Sequence, residues 1–231
     1  MSKVLGWLMA ASCWAGSAQA ALSLDKTRYI FNGNEKAINL LISNTEKETY
    51  GGQIWLENVR ETDTRPSFIA APSFFKVKGA SQQSVRILQA FEHLPQHMES
   101  VYWLNLQELP PAREGSGLTV AVRSRVKVFY RPAALLEDRK GAEQRIRVQQ
   151  RPEGKALVND TPYIFAITAL LDAKGNKLTP KDPKASGVLS MFMPGDTIDI
   201  SGLDVTQVAS INDFGVIDNW AVTVATTAGQ S

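Results

Sequence analysis

The stretch from Leu118 to Arg131 constrains the fold most, because no other segment of this chain alternates in side-chain character for so long. The alternation predicts a β-strand. Its fourteen residues exceed the usual strand of about five or six residues, so we expect a strand that bridges two sheets or extends beyond its own domain. One row of side chains is apolar and the other is mainly basic: Leu118, Val120, Val122, Val126 and Val128 against Arg123, Arg125 and Lys127.

The remainder of the chain also predicts strands rather than helices. Short alternating runs bounded by Asn, Gly and Pro turns recur from Leu22 onward, which is typical of a β-sandwich of immunoglobulin type. Pro72 marks the run Phe68–Val77 as kinked or as a sheet edge, and the run GVLSMFM (187–193) is expected to be a strand.

A length of 231 residues suits two domains of about 100 residues each. The charged stretch after Arg131-Pro132 interrupts the strand pattern, so we predict an all-β chain with domains at 21–135 and 136–231.

Residues 1–20 have the pattern of a secretory leader, with Lys3 before a short apolar run and a small-x-small cleavage site at Ala18-Gln19-Ala20. Cleavage after Ala20 would remove Cys13, the one cysteine of the sequence, so no disulfide is expected. The rest of the sequence has no apolar run long enough for a membrane span. Its near-neutral charge balance does not indicate nucleic acid or an anionic membrane as a partner.

Metal binding and catalysis have weak support in the sequence. His93 and His97 are the two histidines of the chain, and a pair four residues apart could hold zinc on a helix. Pro95 lies between them and disfavours that helix. No G-x-S-x-G turn or phosphate-binding glycine loop occurs, so we expect no metal, no cofactor and no enzymatic activity.

Two cations interrupt apolar strand patterns and have two readings. Arg28 and Lys127 would ordinarily face solvent, as most lysine and arginine side chains do. If both lie in the cleft between the domains, they instead form an anion site suited to a carboxylate.

Several segments together resemble the periplasmic pilus (fimbrial) chaperones of bacterial chaperone-usher pathways. The resemblance covers most of the chain beyond the leader, and it depends on the order and spacing of these segments: LSLDKTR (22–28), YWLNLQELPP (102–111), VKVFYRPAAL (126–135), NDTPYIF (159–165) and INDFG (211–215).

This resemblance implies two immunoglobulin-like sandwiches set at an angle, as in a boomerang. It implies a periplasmic protein that inserts a strand into pilus subunits lacking the last strand of their own fold, and that delivers them to an outer-membrane usher. The short connector from Gln107 to Gly117 resembles the short-loop subclass, which serves rod-like pili. Two copies that cap each other's strand when no subunit is bound are compatible with the resemblance.

The resemblance also implies three groups of functional residues. Arg28 and Lys127 match the anchor of the subunit's C-terminal carboxylate, and Leu118, Val120 and Val122 match the inserted face of the donor strand. Glu99, Arg131 and Asp213 match a salt-bridge network between the domains. The alternative is a secreted structural or adhesive immunoglobulin-like protein, in which the row from Leu118 to Val122 faces inward.

Overall fold

The fold is known from a computed structural model, which describes residues 20–59, 66–90, 94–112 and 119–225. Strands dominate these residues, and the one α-helix among them has five residues, which confirms the all-β prediction. In the first half the strands are β1 (Leu22–Leu24), β2 (Arg28–Asn32), β3 (Ala37–Asn44), β4 (Tyr50–Asn58), β5 (Phe68–Ala71), β6 (Phe74–Val77), β7 (Gln82–Gln89), β8 (Ser100–Leu109) and β9 (Arg123–Arg131).

The second half contains shorter strands and the helix. Its elements are β10 (Arg147–Arg151), β11 (Gly154–Val158), β12 (Ile167–Leu171), β13 (Lys177–Leu178), α1 (Ala185–Leu189), β14 (Thr197–Asp199), β15 (Gln207–Ile211), β16 (Ile217–Ala221) and β17 (Thr223–Ala225). Three 3-10 segments between Ala133 and Arg145 join the two halves.

Each half is a sandwich of two sheets. The first sandwich packs the sheet β1-β3-β7-β5 on the sheet β2-β9-β8-β4-β6, with Phe31, Ile54 and Leu104 fully buried between them. The second packs β14-β11-β10-β17 on β13-β12-β15-β16, around Tyr163, Phe165 and other buried side chains. The boundary after residue 135 itself remains a prediction.

The predicted kink at Pro72 is confirmed by where the chain changes sheets. Strand β5 before the proline is the edge of one sheet, and β6 after it is the edge of the other. Because proline cannot donate a backbone hydrogen bond to a ladder, a crossover at a sheet edge is a place where it is tolerated.

The predicted strand over GVLSMFM is wrong, because α1 occupies its first part. Asp182 starts this helix: its carboxylate accepts the backbone N–H of Lys184 at 2.9 Å, and its carbonyl accepts that of Ala185 at 3.0 Å. Asp followed by Pro at a helix start is a favourable arrangement. Leu189 of this run is buried on one face of the helix, and Phe192 is buried in an isolated bridge, so apolarity alone did not distinguish helix from strand.

The predicted fourteen-residue strand is also corrected, because β9 begins only at Arg123. Its ladder to β8 ends where Gln107 pairs with Arg123, and the last backbone bond runs from Glu108 N to Val122 O at 2.9 Å. Beyond it β8 runs into Pro110 and Pro111, which have no N–H to donate. Residues 119–122 therefore have no partner strand within the described chain.

Candidate functional site

Arg28 and Lys127, here called the anchor pair, lie directly opposite each other on the parallel strands β2 and β9. Paired residues of a sheet project from the same face. The Arg28 Nη1 donates to the carbonyl of Ile211 at 3.0 Å, and the Lys127 Nζ donates to that of Ser190 at 2.6 Å. Because both acceptors belong to the second sandwich, the anchor pair lies in the cleft between the sandwiches rather than in open solvent.

The anchor pair is a site of unbalanced positive charge. Burial lowers the pKa of Arg28, against the opposing charge of Asp213. Burial and the charge of Arg28 lower the pKa of Lys127. Among the described residues neither cation forms an ion pair with a carboxylate, and the Arg28 Nε is buried with no hydrogen-bond acceptor. An incoming anion would therefore stabilise both side chains.

Glu99, Arg131 and Asp213, the interface network, are brought together at the base of the same cleft. The Arg131 Nε donates to Glu99 at 2.6 Å, and its two terminal nitrogens donate to Asp213 at 2.7 and 3.0 Å. The other Glu99 oxygen accepts the backbone N–H of Ile164 at 2.8 Å. Because Asp213 and Ile164 lie in the second sandwich, the network joins the two halves by charged hydrogen bonds.

Burial and the ion pairs act in opposite directions on the pKa values of the network. Burial raises the pKa of Glu99, although Arg131 opposes this shift. Burial acts on Asp213 in the same direction, but the hydrogen bonds and charge of Arg131 prevail and hold the pKa of that carboxyl below its usual value. The two carboxylates raise the pKa of Arg131 in spite of its own burial, so the guanidinium is always charged.

A small apolar group, the hinge cluster, lies beside the network and also joins the sandwiches. Val101 and Phe129 from the first half and Ile164 from the second are buried together, and Met191 and Met193 pack against them. The sequence did not single out this cluster, because its members are distant in the chain and each reads as an ordinary core residue.

Two of the residues predicted to insert into a subunit lie just before β9. Val120 is 66% exposed, Val122 is half-buried, and Leu118 lies outside the described residues. Strand β2 pairs with β9 only from Lys127 to Arg131, so the edge of β9 before Lys127 is open on that side. An exposed apolar side chain beside an open strand edge is a surface suited to an additional strand.

A polar cluster that the sequence did not predict covers the face of the sheet on which Lys127 lies. The guanidinium groups of Arg123 and Arg125 both donate to the buried Oδ1 of Asn105 and both pair with Glu57. They stack on Trp55 and Trp103 at 4.8 and 5.3 Å. The alternation placed both arginines on this face, but no pattern indicates that a buried asparagine on β8 would fix them.

The described residues contain no group of three His, Cys, Asp or Glu side chains placed to hold a metal ion. His93 lies outside the described residues. No helix among the described residues has the length and apolarity of a membrane span.

Comparisons with known proteins all find chaperones of one family. Residues 21–136 match the family described as pili and flagellar-assembly chaperone, PapD N-terminal domain. The chain is 50% identical to the chaperone protein ClpE of Escherichia coli over 100% of this chain and 89% of that protein. It is 51% identical to the chaperone protein FaeE of Escherichia coli over 96% of this chain and 86% of that protein.

A solved structure has a similar fold. The crystal structure of the periplasmic chaperone SfaE is similar to this chain with a TM-score of 0.68 and 25% identity, over 88% of this chain and 100% of that one. The immunoglobulin-like character of both sandwiches, predicted from the strand pattern, is confirmed by this likeness.

Proposed function

Because this chain belongs to the family of pili and flagellar-assembly chaperones, we propose that it captures pilus subunits in the periplasm by donor-strand complementation and delivers them to an outer-membrane usher. The single observation that carries the mechanism is the position of the anchor pair at the end of an open strand edge. No catalytic step is part of this function.

The anchor pair determines how a subunit would be held. A strand that occupies the open edge of β9 lies in line with β2 and meets it at Arg28. If this strand ends there, its terminal carboxylate lies between Arg28 and Lys127, where two charge-assisted hydrogen bonds hold it. Fixing one end fixes the register, and a shift of one residue would turn every side chain to the other face.

The donor residues would supply the apolar contact. Val120 is 66% exposed in the free chain, so its transfer into the core of a subunit removes apolar surface from water and contributes about 1 to 2 kcal/mol. Leu118 and Val122 lie in the same row of the alternation and would occupy adjacent positions in the subunit groove. The exposure of Val120 is the opposite of what an adhesive immunoglobulin-like protein with an inward-facing row requires.

The interface network would keep the cleft in one geometry. Its charged hydrogen bonds, together with the hinge cluster, hold the second sandwich against the face that carries the anchor pair. The carbonyls of Ser190 and Ile211 then lie beside the two cations. The role of the network is therefore to orient the anchor pair.

Export and processing belong to the same proposal. Residues 1–20 would direct the chain to the periplasm, and cleavage after Ala20 would release a mature protein without cysteine. The short connector from Gln107 to Gly117 would make the chain a member of the short-loop subclass, and pairs of idle copies would cap each other's open edge.

The experiment that tests the anchor compares subunit capture by wild type and Lys127→Ala in periplasm that contains a cognate subunit. Loss of one of the two charge-assisted hydrogen-bonding partners of the carboxylate predicts at least about tenfold less co-purified subunit. The matched control is Lys177→Ala, which removes an exposed lysine of β13 and should capture normally. A subunit extended by Gly-Ser at its C-terminus should be captured as poorly by wild type as the native subunit is by Lys127→Ala. Normal capture by Lys127→Ala would refute the anchor.

A further inference from the structure

Glu108 on β8 is a buried carboxylate with no cationic partner among the described residues. It is 3% exposed. One oxygen accepts the backbone N–H of Leu22 at 2.8 Å and the other that of Val122 at 3.4 Å. A buried carboxylate that is not paired with a positive charge is strongly destabilising, and two backbone N–H groups compensate for this only in part. A cation beside Glu108 would therefore stabilise the fold.

Ala21 is the residue whose nitrogen could supply this cation. It is 4% exposed, and its carbonyl accepts the N–H of Thr45 at 3.0 Å. Because Ala21 is bonded to Leu22, covalent geometry keeps its nitrogen within about 6.5 Å of the Glu108 oxygen. Rotation about the Cα–C bond of Ala21 brings the two groups closer. In the precursor this nitrogen belongs to a neutral amide, whereas cleavage after Ala20 converts it to an α-ammonium group.

We propose that Glu108 is the binding site for the α-ammonium group of Ala21 that leader cleavage creates, and that this ion pair positions the start of the donor strand. The inference rests on the cleavage site and the function proposed above. The leader-bearing precursor lacks the positive charge, so the ion pair can position the strand only after processing.

The link from the ion pair to the donor strand runs through Val122. Glu108 holds both backbone groups of Val122: its carboxylate accepts the N–H at 3.4 Å, and its own N–H donates to the carbonyl at 2.9 Å. Val122 is the first residue beyond the β8–β9 ladder. The direction in which residues 119–122 leave the sheet is therefore set at Glu108, which makes this residue a positioning residue for subunit capture.

The ion pair is tested by measuring the pKa of the Ala21 α-amino group in the mature protein by NMR titration. Ordinary α-amino groups titrate at about 7.7 to 8.0. Pairing with Glu108 should raise this pKa, and Glu108→Gln should return it to the ordinary range while keeping an oxygen for Leu22 N–H. Glu153→Gln, which alters an exposed carboxylate in the β10–β11 turn, should leave it raised. An ordinary pKa in wild type, or a raised pKa that persists in Glu108→Gln, would overturn the proposal.

The pH dependence of stability follows from the sign of this shift. If the pKa of the Ala21 α-amino group is higher in the folded than in the unfolded protein, its ion pair stabilises the protein fully below about pH 7.7. This contribution is lost as the pH rises through the folded pKa. The unfolding free energy of wild type, measured with urea from pH 6 to 10, should therefore fall relative to that of Glu108→Gln across this range. Parallel pH profiles for the two proteins would contradict the ion pair.

The effect on the donor strand is tested by inserting Gly-Ser between Ala20 and Ala21, which moves the ammonium group away while Glu108 stays intact. Capture of subunit should fall by about fivefold, the scale of a partly screened ion pair. Adding Glu108→Gln to the insertion should lower it no further. Full capture by the insertion variant would show that the pair does not position the strand. Normal capture by Lys127→Ala would contradict the carboxylate anchor but not the ion pair. The ion pair is tested separately, by the pKa of the Ala21 α-amino group.

Discussion

At the scale of single residues, two carboxylates that bind the same guanidinium group have pKa values shifted in opposite directions from their usual values. Arg131 contacts both, yet the pKa of Glu99 is raised by burial and that of Asp213 is lowered by Arg131. The difference lies in access to water, since the Glu99 side chain is 1% exposed and that of Asp213 is 31% exposed. Asp213 is therefore the member of the network from which a stabilising charge can be removed cleanly.

Asp213→Asn should lower the unfolding free energy by about 1 to 3 kcal/mol at pH 7, because two hydrogen bonds from Arg131 lose their ionic acceptor. Because the pKa of Asp213 is lowered in the folded protein, its charge stabilises the protein fully at pH values above the ordinary aspartate pKa of about 3.9. This contribution is lost as the pH falls through the folded pKa. The difference between variant and wild type should therefore shrink below about pH 4, which urea unfolding at a series of pH values would measure.

Asp204→Asn is the comparison for this variant. The Asp204 side chain is 85% exposed, and its ion pair with Lys155 is long, at 3.7 Å. The Asp204 substitution should change the unfolding free energy by less than about 0.5 kcal/mol. Equal destabilisation by both variants would mean that the interface network contributes nothing specific.

At the scale of elements, β9 and the residues that precede it divide one alternating row into two environments. Val128 is fully buried between the sheets of the first sandwich, whereas Val120 is 66% exposed. The change occurs at Arg123, where the ladder to β8 begins. The same side-chain type in the same row therefore has two different roles, which depend only on whether a second sheet covers it.

Val120→Asp should reduce subunit capture by at least about tenfold, because the carboxylate would enter the apolar core of the partner, while the unfolding free energy of the chaperone changes by less than about 0.5 kcal/mol. Val128→Asp introduces the same charge into the chaperone's own core and should prevent folding. Co-purification with subunit and urea unfolding measure the two effects. Undiminished capture by Val120→Asp would refute its assignment to the donor strand.

The sequence predicted the elements of the first sandwich better than the extent of β9 or the helix α1. Alternation shows which residues share a face, but it does not show where a neighbouring strand ends. The start of β9 depends on Pro110 and Pro111, which follow β8 and lie outside the alternating stretch. For α1, the apolar run was compatible with helix or strand, and the Asp182-Pro183 start was the sign that could have decided it.

Different parts of the site were predictable for different reasons. Arg28 and Lys127 stood out because they interrupt apolar patterns, and the structure brings them together in the cleft. Asn105 and Glu108 could not be identified, because a polar residue on a strand reads as exposed until the fold shows it at 0% or 3% exposure. The subunit-binding roles of all these residues remain predictions.

At the scale of the whole molecule, two kinds of contact hold the sandwiches together, and they differ in how much change in relative orientation they tolerate. The hinge cluster is apolar and tolerant of small rotations, whereas the interface network needs defined hydrogen-bond geometry. The Glu99 carboxylate has contacts on both sides of the boundary, with Arg131 and with the backbone of Ile164. The relative orientation of the two halves should therefore depend more on Glu99 than on any apolar contact.

Glu99→Ala should leave both sandwiches folded but broaden the distribution of their relative positions, because Arg131 and the Ile164 N–H lose a shared acceptor. We expect a cost of about 3 kcal/mol or more, as for a broken buried ion pair. Small-angle X-ray scattering would detect the broadening, and far-UV circular dichroism would report the retained strands. Glu153→Ala is the exposed control, and a scattering profile of Glu99→Ala equal to that of this control would contradict the orienting role.

The parallel pairing of β2 with β9, which begins at Arg28 opposite Lys127, has a consequence for timing. A strand held end-on at these two cations presents a free carboxyl terminus, and a polypeptide acquires that group only when its synthesis is finished. The proposed site thus recognises the position at which the bound chain ends. A subunit that is still attached to downstream residues, or that ends early, would bring its terminus to the wrong place. The chaperone would therefore select subunits of complete length as well as cover their apolar surface.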